Sequence, residues 1–477
     1  MARRVAIVGA GITGLSAAYY LEQRARAAGE ELTCTLIDAA PRIGGKIVTD
    51  HEREFVIEGG PDSFVTDKPW CLALCHELGL TDLLIPNNQL ENKVYMLHHG
   101  KLVQFPTGFR LSIPTQLKPF VFTSLISPLG KLRMALDYFL PPRPAPGDES
   151  LGSFIGRRLG REAVDKFAGP LMAGIFVSDP DKLSMRGTFP SFLEMEKKHG
   201  SLIRAARAMK KNPPKRTGPP SAGHAMFNSL KGGMEQLIDV LRERISCRVL
   251  TGTSVAAMSP VSGGWSLTLQ GVGAGSLEVD DVILAVPAHR AAALIEPSIP
   301  TLAEKLRTIR FVSTATVSLA YLLDDIPADR PLDGFGVLIP ASEKRKLIAC
   351  TWASTKFKHR APAGCALMRA FIGGYRDEAL AEQDEHTMEE MVRDEFAQLF
   401  GIKAAPMIAK VYKWPKGNPQ YDVGHLDRVA DMETLAATRP GLHLAGSSYH
   451  GVGMPDCIKS ALRAVDQILP AASTTQS

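Results

Sequence analysis

The chain opens on alternating texture. Val5-Ala6-Ile7-Val8 is a short apolar run ending at Gly9, and Ile12, Leu15, Ala18, Tyr19 and Leu21 then recur at the spacing of one helix face. Leu32-Thr33-Cys34-Thr35-Leu36-Ile37 reads as a second buried strand closed by Asp38. Strand, helix and strand in this order make a βαβ unit, with parallel strands and a right-handed crossover.

The same texture returns late. Residues 282–286 are continuously apolar, as a strand covered on both faces requires. Residues 441–445 and 455–469 are again strand, glycine turn and helix. Between these ends the pattern changes: a turn at 86–88, a strand pair around 94–105, and helical stretches over 114–140 broken at Pro119 and Pro128. A stiff proline-rich connector follows at 141–147. Helical spacing resumes over 151–159, 162–172 and 201–209, and the proline-rich, basic stretch 210–223 reads as an exposed mobile loop. A helix over 235–244 precedes short strands near 248–250 and 265–269. Residues 311–323, 336–340, 346–352 and 366–373 supply further strands, and 386–400 a helix.

Composition narrows the class. With 477 residues, 45% hydrophobic and 22% charged, the chain is globular, which excludes a disordered or coiled-coil rod. A net charge of +5 suits an anionic ligand or an acidic surface, and no dense basic stripe points to nucleic acid. No run of about 20 apolar residues spans a bilayer, so membrane contact, if made, is peripheral. The seven cysteines, scattered from Cys34 to Cys457, form neither a disulfide framework nor paired zinc knuckles, which fits a reducing compartment. Cys71, Cys75 and His76 lack the second pair that would complete four zinc ligands and read as one helix, so no metal is expected. Met1-Ala2-Arg3-Arg4 and the apolar run behind it imitate a secretory signal, but the glycines there have another use.

Gly9-Ala10-Gly11-Ile12-Thr13-Gly14 is a G-x-G-x-x-G between strand and helix, with Asp38 ending the next strand. Gly9 makes the tight turn, Gly11 admits a pyrophosphate to the backbone, and Gly14 lets helix and strand pack closely. The helix N-terminus adds partial positive charge, and Asp38 is placed to accept from a ribose. Downstream, Pro41-Arg42-Ile43-Gly44-Gly45-Lys46 sets two glycines between basic residues, able to bring more backbone and cations to the same phosphates. A nicotinamide site does not require this, and flavoproteins resembling monoamine oxidase carry it, so FAD is preferred.

Further blocks carry a resemblance. Glu58-Gly59-Gly60-Pro61-Asp62-Ser63-Phe64, Leu230-Lys231-Gly232-Gly233-Met234, Trp414-Pro415-Lys416 with Pro419-Gln420-Tyr421 and Gly424-His425, and Leu444-Ala445-Gly446-Ser447-Ser448-Tyr449 with Gly451-Val452-Gly453-Met454-Pro455-Asp456-Cys457-Ile458 lie in family order over almost the whole chain. The sequence resembles the oxygen-dependent porphyrinogen oxidases, most closely their soluble Gram-positive bacterial type, through Gly174-Ile175-Phe176, Asp179-Pro180-Asp181-Lys182-Leu183-Ser184 and Ala349-Cys350-Thr351-Trp352. It departs at Val177-Ser178, where Ala-Gly is more usual, which puts the local pocket shape in doubt.

The resemblance implies an α/β fold. A discontinuous Rossmann-type FAD-binding domain would take 1–65, 225–297 and 425–477, a mixed-sheet substrate domain 66–92 and 298–424, and a mainly helical insertion 93–224. It implies cytoplasmic, FAD-dependent oxidation of coproporphyrinogen III, with protoporphyrinogen IX also accepted and hydrogen peroxide released. The implied FAD contacts are Gly9, Gly11, Thr13, Gly14, Asp38, Ala39, Arg42, Gly45, Lys46, Gly60, Pro61, Asp62, Ser63, Val255, Trp414, Gly446, Val452, Gly453 and Met454. Lys68 would pair with a propionate, Gly174, Ile175 and Phe176 would wall the macrocycle, and Arg110 and Lys93 are further carboxylate candidates. In the family the helical part can touch membrane; Phe120, Val121, Phe122, Leu125 and Ile126 would form that patch or belong to the core. A transient ferrochelatase contact is left open. No catalytic residue is assigned, because the flavin performs the chemistry, and His425 and His450 read as structural. The alternatives are protoporphyrinogen IX as the main substrate and, on the same scaffold, an amine oxidase, a carotenoid desaturase or non-catalytic prenyl-protein escorts.

Overall fold

The computed structural model describes residues 2–106, 109–110, 113–114, 122–143, 147–211, 225–330 and 332–471, with backbone alone at 109–110, 113–114 and 210–211. β1 (Arg3–Val8), α1 (Ile12–Ala28) and β2 (Leu32–Ile37) form the βαβ unit. They lie in a five-stranded parallel sheet whose order is Arg248–Leu250, β2, β1, Asp281–Leu284 and Leu442–Leu444. Both faces are covered, which is why these strands are uninterrupted apolar runs. On one face, α1, Glu235–Arg244, Met454–Ile468 and α2 (Pro69–Glu77) pack on Val5, Ile7 and Ile283. On the other, the helices Ala288–Ile295, Pro300–Arg307 and His425–Ala437 join Trp265 and Leu267 of a three-stranded antiparallel sheet against Ala6, Val282 and Leu284.

The register matters for the site. Val8 pairs with Ile37 and with Leu284, and Leu284 pairs with Leu444, so four strands end in one row. Gly9, Asp38, Ala285 and Ala445 therefore lie together outside the carboxyl ends of a parallel sheet, where α/β folds bind ligands.

A seven-stranded mixed sheet forms the second layer, in the order Ile408–Pro419, Phe311–Leu322, Cys365–Gly373, Leu347–Trp352, Gly334–Leu338, Lys93–His98, Lys101–Gln104. Glu385–Phe400 covers it through Met388, Val392, Phe396 and Phe400. The described residues of 128–143 and 147–211 are mainly helical around Phe154, Ile155 and Phe167, and the buried Arg158 ties their turns together by reaching Asp137, Leu140, Pro141 and Gly200.

Several elements differ from the expectation. Ile408–Pro419 is a twelve-residue strand despite Pro415 and Pro419; it lies at the sheet edge, where proline's missing N–H costs no ladder bond. Lys93–Gln104 is the strand pair expected around 94–105, but it joins the mixed sheet as an edge hairpin rather than the helical insertion. α2 buries Cys71, Leu74 and Cys75 in the dinucleotide-fold core rather than against the mixed sheet. Leu125 and Ile126 are core, whereas Phe122 is 84% exposed; Phe120, Val121 and most of the loop 210–223 lie outside the described residues.

Candidate active site

The cradle at the sheet end is defined by what it cannot contain. Gly9 has φ +107°, and a Cβ on Gly14 would lie 1.9 Å from the Gly9 carbonyl oxygen. Gly45, also left-handed, packs on the Gly11 Cα. Gly11 caps α1 with no side chain, leaving the first-turn amides to a ligand. Asp38 holds the turn by accepting from the Ala10 and Ala40 amides at 2.6 and 2.8 Å, which leaves lone pairs of a carboxylate for a ribose hydroxyl. Val255 lies on the strand that starts beside it, where the Thr253 amide donates to the Asp38 carbonyl, and Ala39 is exposed at the same corner.

The loop 59–63 is pinned by the mixed sheet. The Gly59 carbonyl accepts from Trp414 Nε1, Thr316 Oγ1 and Arg369, and the Gly60 carbonyl from Arg369 again. A Cβ on Gly60 would sit 1.7 Å from the Lys46 carbonyl oxygen. Beneath lies a charged network. Asp62 pairs with Lys356 at 2.9 Å and accepts from Ser63; burial would raise its carboxyl, but Lys356 and Arg369 outweigh that and hold it well below the usual carboxylate range. Burial pushes Glu58 up to about 7, against Arg360, the Met234 amide and the Thr49 hydroxyl. Burial also lowers Arg360 and Arg369. Sequence reasoning missed the basic partners Lys356, Arg360 and Arg369; the one available signal was Arg369, a charge inside the apolar run 366–373.

The third wall is the loop 446–453. Gly446 (φ +118°) donates its amide to Ser460 Oγ, and Gly453 caps the last helix with a bare N-terminus. Gly451 (φ +145°) donates to Tyr421 Oη, which donates to the Ser447 carbonyl. Tyr421 stacks on His425 at 3.8 Å, and His425 Nε2 meets the Tyr449 carbonyl at 2.8 Å. Burial pushes His425 down to about 4, so it is neutral and structural. His450 bonds Glu433 at the surface.

The remaining candidates divide. Ile175 and Phe176 line a cavity with Val452, Ser447, Asn418 and Lys46, so the wall from the helical segment does face the glycine loop; Ile175 is 56% exposed. Gly174 packs toward Leu338. Val177 adopts φ +53°, an outlier for a β-branched residue, with its side chain filling the space over Gly374. Thr13 and Met454 are buried at the cradle, and Pro61 is half-buried beside it. Three cations are not where an open anion site needs them. Arg42 folds back onto the Ile43, Gly45 and Ile47 carbonyls, Lys68 donates both to Asp456 Oδ1 and Oδ2 at 2.8 and 2.7 Å, and Lys93 pairs with Asp333. Arg110 ends the strand Phe109–Arg110, and its side chain lies outside the described residues.

A pyrophosphate cradle, an acid at the next strand end, a second glycine loop for an isoalloxazine and an apolar wall opposite it define a flavin-dependent oxidoreductase. FAD fits these residues, because the first-turn amides behind Gly11 and Gly453 carry no side-chain cap, and a Cβ on Gly9, Gly14 or Gly60 would strike the backbone that shapes the cradle; when bound it accepts the substrate's electrons as hydride. Residues 12–469 match the flavin containing amine oxidoreductases, and the chain belongs to that family. It is 36% identical over 472 residues to a coproporphyrinogen III oxidase of Bacillus subtilis (strain 168), covering 98% of both chains. It is 29% identical to the chloroplastic protoporphyrinogen oxidase 1 of Arabidopsis thaliana, covering 95% of this chain and 86% of that one. A crystal structure from Exiguobacterium, assigned to protoporphyrinogen oxidase, superposes with TM-score 0.86 at 32% identity over 98% of this chain and 99% of that one. Putrescine oxidase bound to putrescine shares the fold, with TM-score 0.67 at 19% identity over 99% and 100% of the two chains.

Proposed function

We propose that the chain oxidises coproporphyrinogen III to coproporphyrin III in haem biosynthesis, with protoporphyrinogen IX as a second substrate. Six electrons leave in three two-electron steps through FAD, and oxygen takes them up as hydrogen peroxide. The observation that carries the reading is the apolar wall of Ile175 and Phe176 facing the 446–453 loop across a cavity that also holds Lys46. A broad macrocycle needs such a face, and hydride loss to flavin needs no triad. The protein's part is to hold FAD on Gly9, Gly11, Gly14, Gly45, Gly60, Gly446 and Gly453, to seat the ribose at Asp38, and to press a methylene bridge toward the ring position.

An oxygen electrode with a fluorimeter tests the reading. Three molecules of oxygen consumed and three of peroxide formed per coproporphyrin support it; porphyrin formation without oxygen uptake sinks it.

The reading extends to place. We assign the chain to the cytoplasm, with peripheral bilayer contact through Phe122, Leu129, Leu132, Leu136 and Phe139, which are 45–84% exposed and include helix positions three and four apart. No helix among the described residues is long and apolar enough to cross a membrane. Leu132→Lys is expected to abolish co-sedimentation with lipid vesicles; unchanged co-sedimentation removes the assignment. A transient hand-off to a ferrochelatase completes the scheme, since the product must next receive its metal.

A further inference from the structure

Among the residues lining the cavity between the glycine loop and the apolar wall, Lys46 is the titratable one. Its backbone belongs to the cradle, since its carbonyl is the contact that keeps residue 60 a glycine. Its side chain leaves the cradle and reaches the Gly417 carbonyl on the edge strand, beside Asn418. No carboxylate among the described residues pairs with it. The titratable groups that face it are the Cys457 thiol on the last helix and His289 at the start of Ala288–Ile295. Arg290 and Lys416 also act on His289, so the surroundings are cationic.

Porphyrinogen oxidation has a proton to place. When a methylene bridge loses a hydride, its C–H electron pair goes to FAD and the adjoining pyrrole nitrogen becomes a cationic N–H. That N–H bond breaks, its electron pair stays on nitrogen as the imine lone pair beside the conjugated C=N, and a proton must be accepted. We propose that the Lys46 amine is the base that takes this proton. The proposal rests on the porphyrinogen reading, and it gives Lys46 a catalytic role in place of a phosphate contact. Burial lowers the Lys46 ammonium, with only Cys457 opposing, so the free amine is accessible nearer neutral pH than on an exposed lysine.

The test is stopped-flow flavin reduction by coproporphyrinogen III across pH, on FAD-loaded wild type, Lys46→Met, Lys46→Arg and Lys46→Ala. The wild-type rate should rise with pH to a plateau. Lys46→Met should keep FAD at wild-type stoichiometry, quench coproporphyrin III fluorescence with wild-type affinity, lose the pH dependence and reduce about 100-fold more slowly. Lys46→Arg should be equally slow, because a guanidinium does not deprotonate, and ethylamine should accelerate Lys46→Ala in proportion to its concentration. Lys46→Arg at the wild-type rate overturns the proposal, as does loss of FAD from Lys46→Met with a normal rate per remaining flavin, which makes Lys46 a phosphate ligand. If wild type is not reduced, the porphyrinogen reading falls with it; if wild type is reduced and the variants match it, only the role of Lys46 falls.

Discussion

At the scale of single residues, the site is made of positions whose chemistry the surroundings have altered. Glu58 is the clearest. Its folded pKa is about 7 against the ordinary 4.5 of a glutamate, so between these the folded chain holds a proton that the unfolded chain has lost. Stability therefore falls as pH rises from about 4.5 through 7. Glu58→Gln, which mimics the protonated form, is expected to flatten that slope in urea unfolding at pH 5.5 and 7.5; an unchanged slope would show that Arg360 keeps Glu58 ionised. His425 has the opposite sign. Its folded pKa of about 4 lies below the ordinary 6.5 of a histidine, so its contribution is present above 6.5 and lost as pH falls toward 4. Acid unfolding monitored by Trp fluorescence should begin in that window, and His425→Phe, which keeps the stack on Tyr421, should push its onset lower. Gly14→Ala places a methyl 1.9 Å from a backbone oxygen. The variant is expected to purify colourless, with flavin absorbance per protein reduced at least tenfold.

At the scale of elements, legibility followed local period. β1, α1 and β2 were readable because their apolar spacing and the G-x-G-x-x-G agree, and 151–159, 235–244 and 386–400 because each repeats one apolar face. Ile408–Pro419 was not, since its prolines argue against a strand and only its edge position permits them. His425–Ala437 hid behind a glycine block, because Gly424 caps it in the left-handed region. In the candidate site the glycine positions were legible from steric need, whereas the Lys68–Asp456 and Asp62–Lys356 pairs join residues 388 and 294 apart and have no local signal. The first pair makes its own prediction. It links the start of α2 to the last helix and takes up the ammonium proposed for a propionate. Asp456→Asn frees Lys68 and should tighten coproporphyrin III binding severalfold, a gain that Lys68→Ala removes. Equal affinities in both variants would take Lys68 out of the substrate site.

At the scale of the whole molecule, FAD would lie where the parallel sheet, the mixed sheet and the helical segment meet. The residues proposed to bind it come from the first 63 positions and from 255, 414 and 446–454, and Arg369 of the mixed sheet and Lys356 of the short helix Ala353–Lys356 hold the 59–63 loop. Cofactor binding is therefore coupled to domain docking. FAD at one hundred times its dissociation constant adds about 2.7 kcal/mol, so removing it should lower the melting temperature by several degrees and broaden the transition.

The central claim is that reduced porphyrinogen delivers its electrons to a flavin held in this cradle. Anaerobic mixing of the holoprotein with coproporphyrinogen III and, separately, protoporphyrinogen IX reads it directly. Bleaching of the flavin band by both, faster with the tetracarboxylate, and porphyrin fluorescence on admitting air is the result predicted here. A flavin that neither porphyrinogen bleaches, while a primary amine does, would contradict it and return the chain to the amine-oxidising branch of its family.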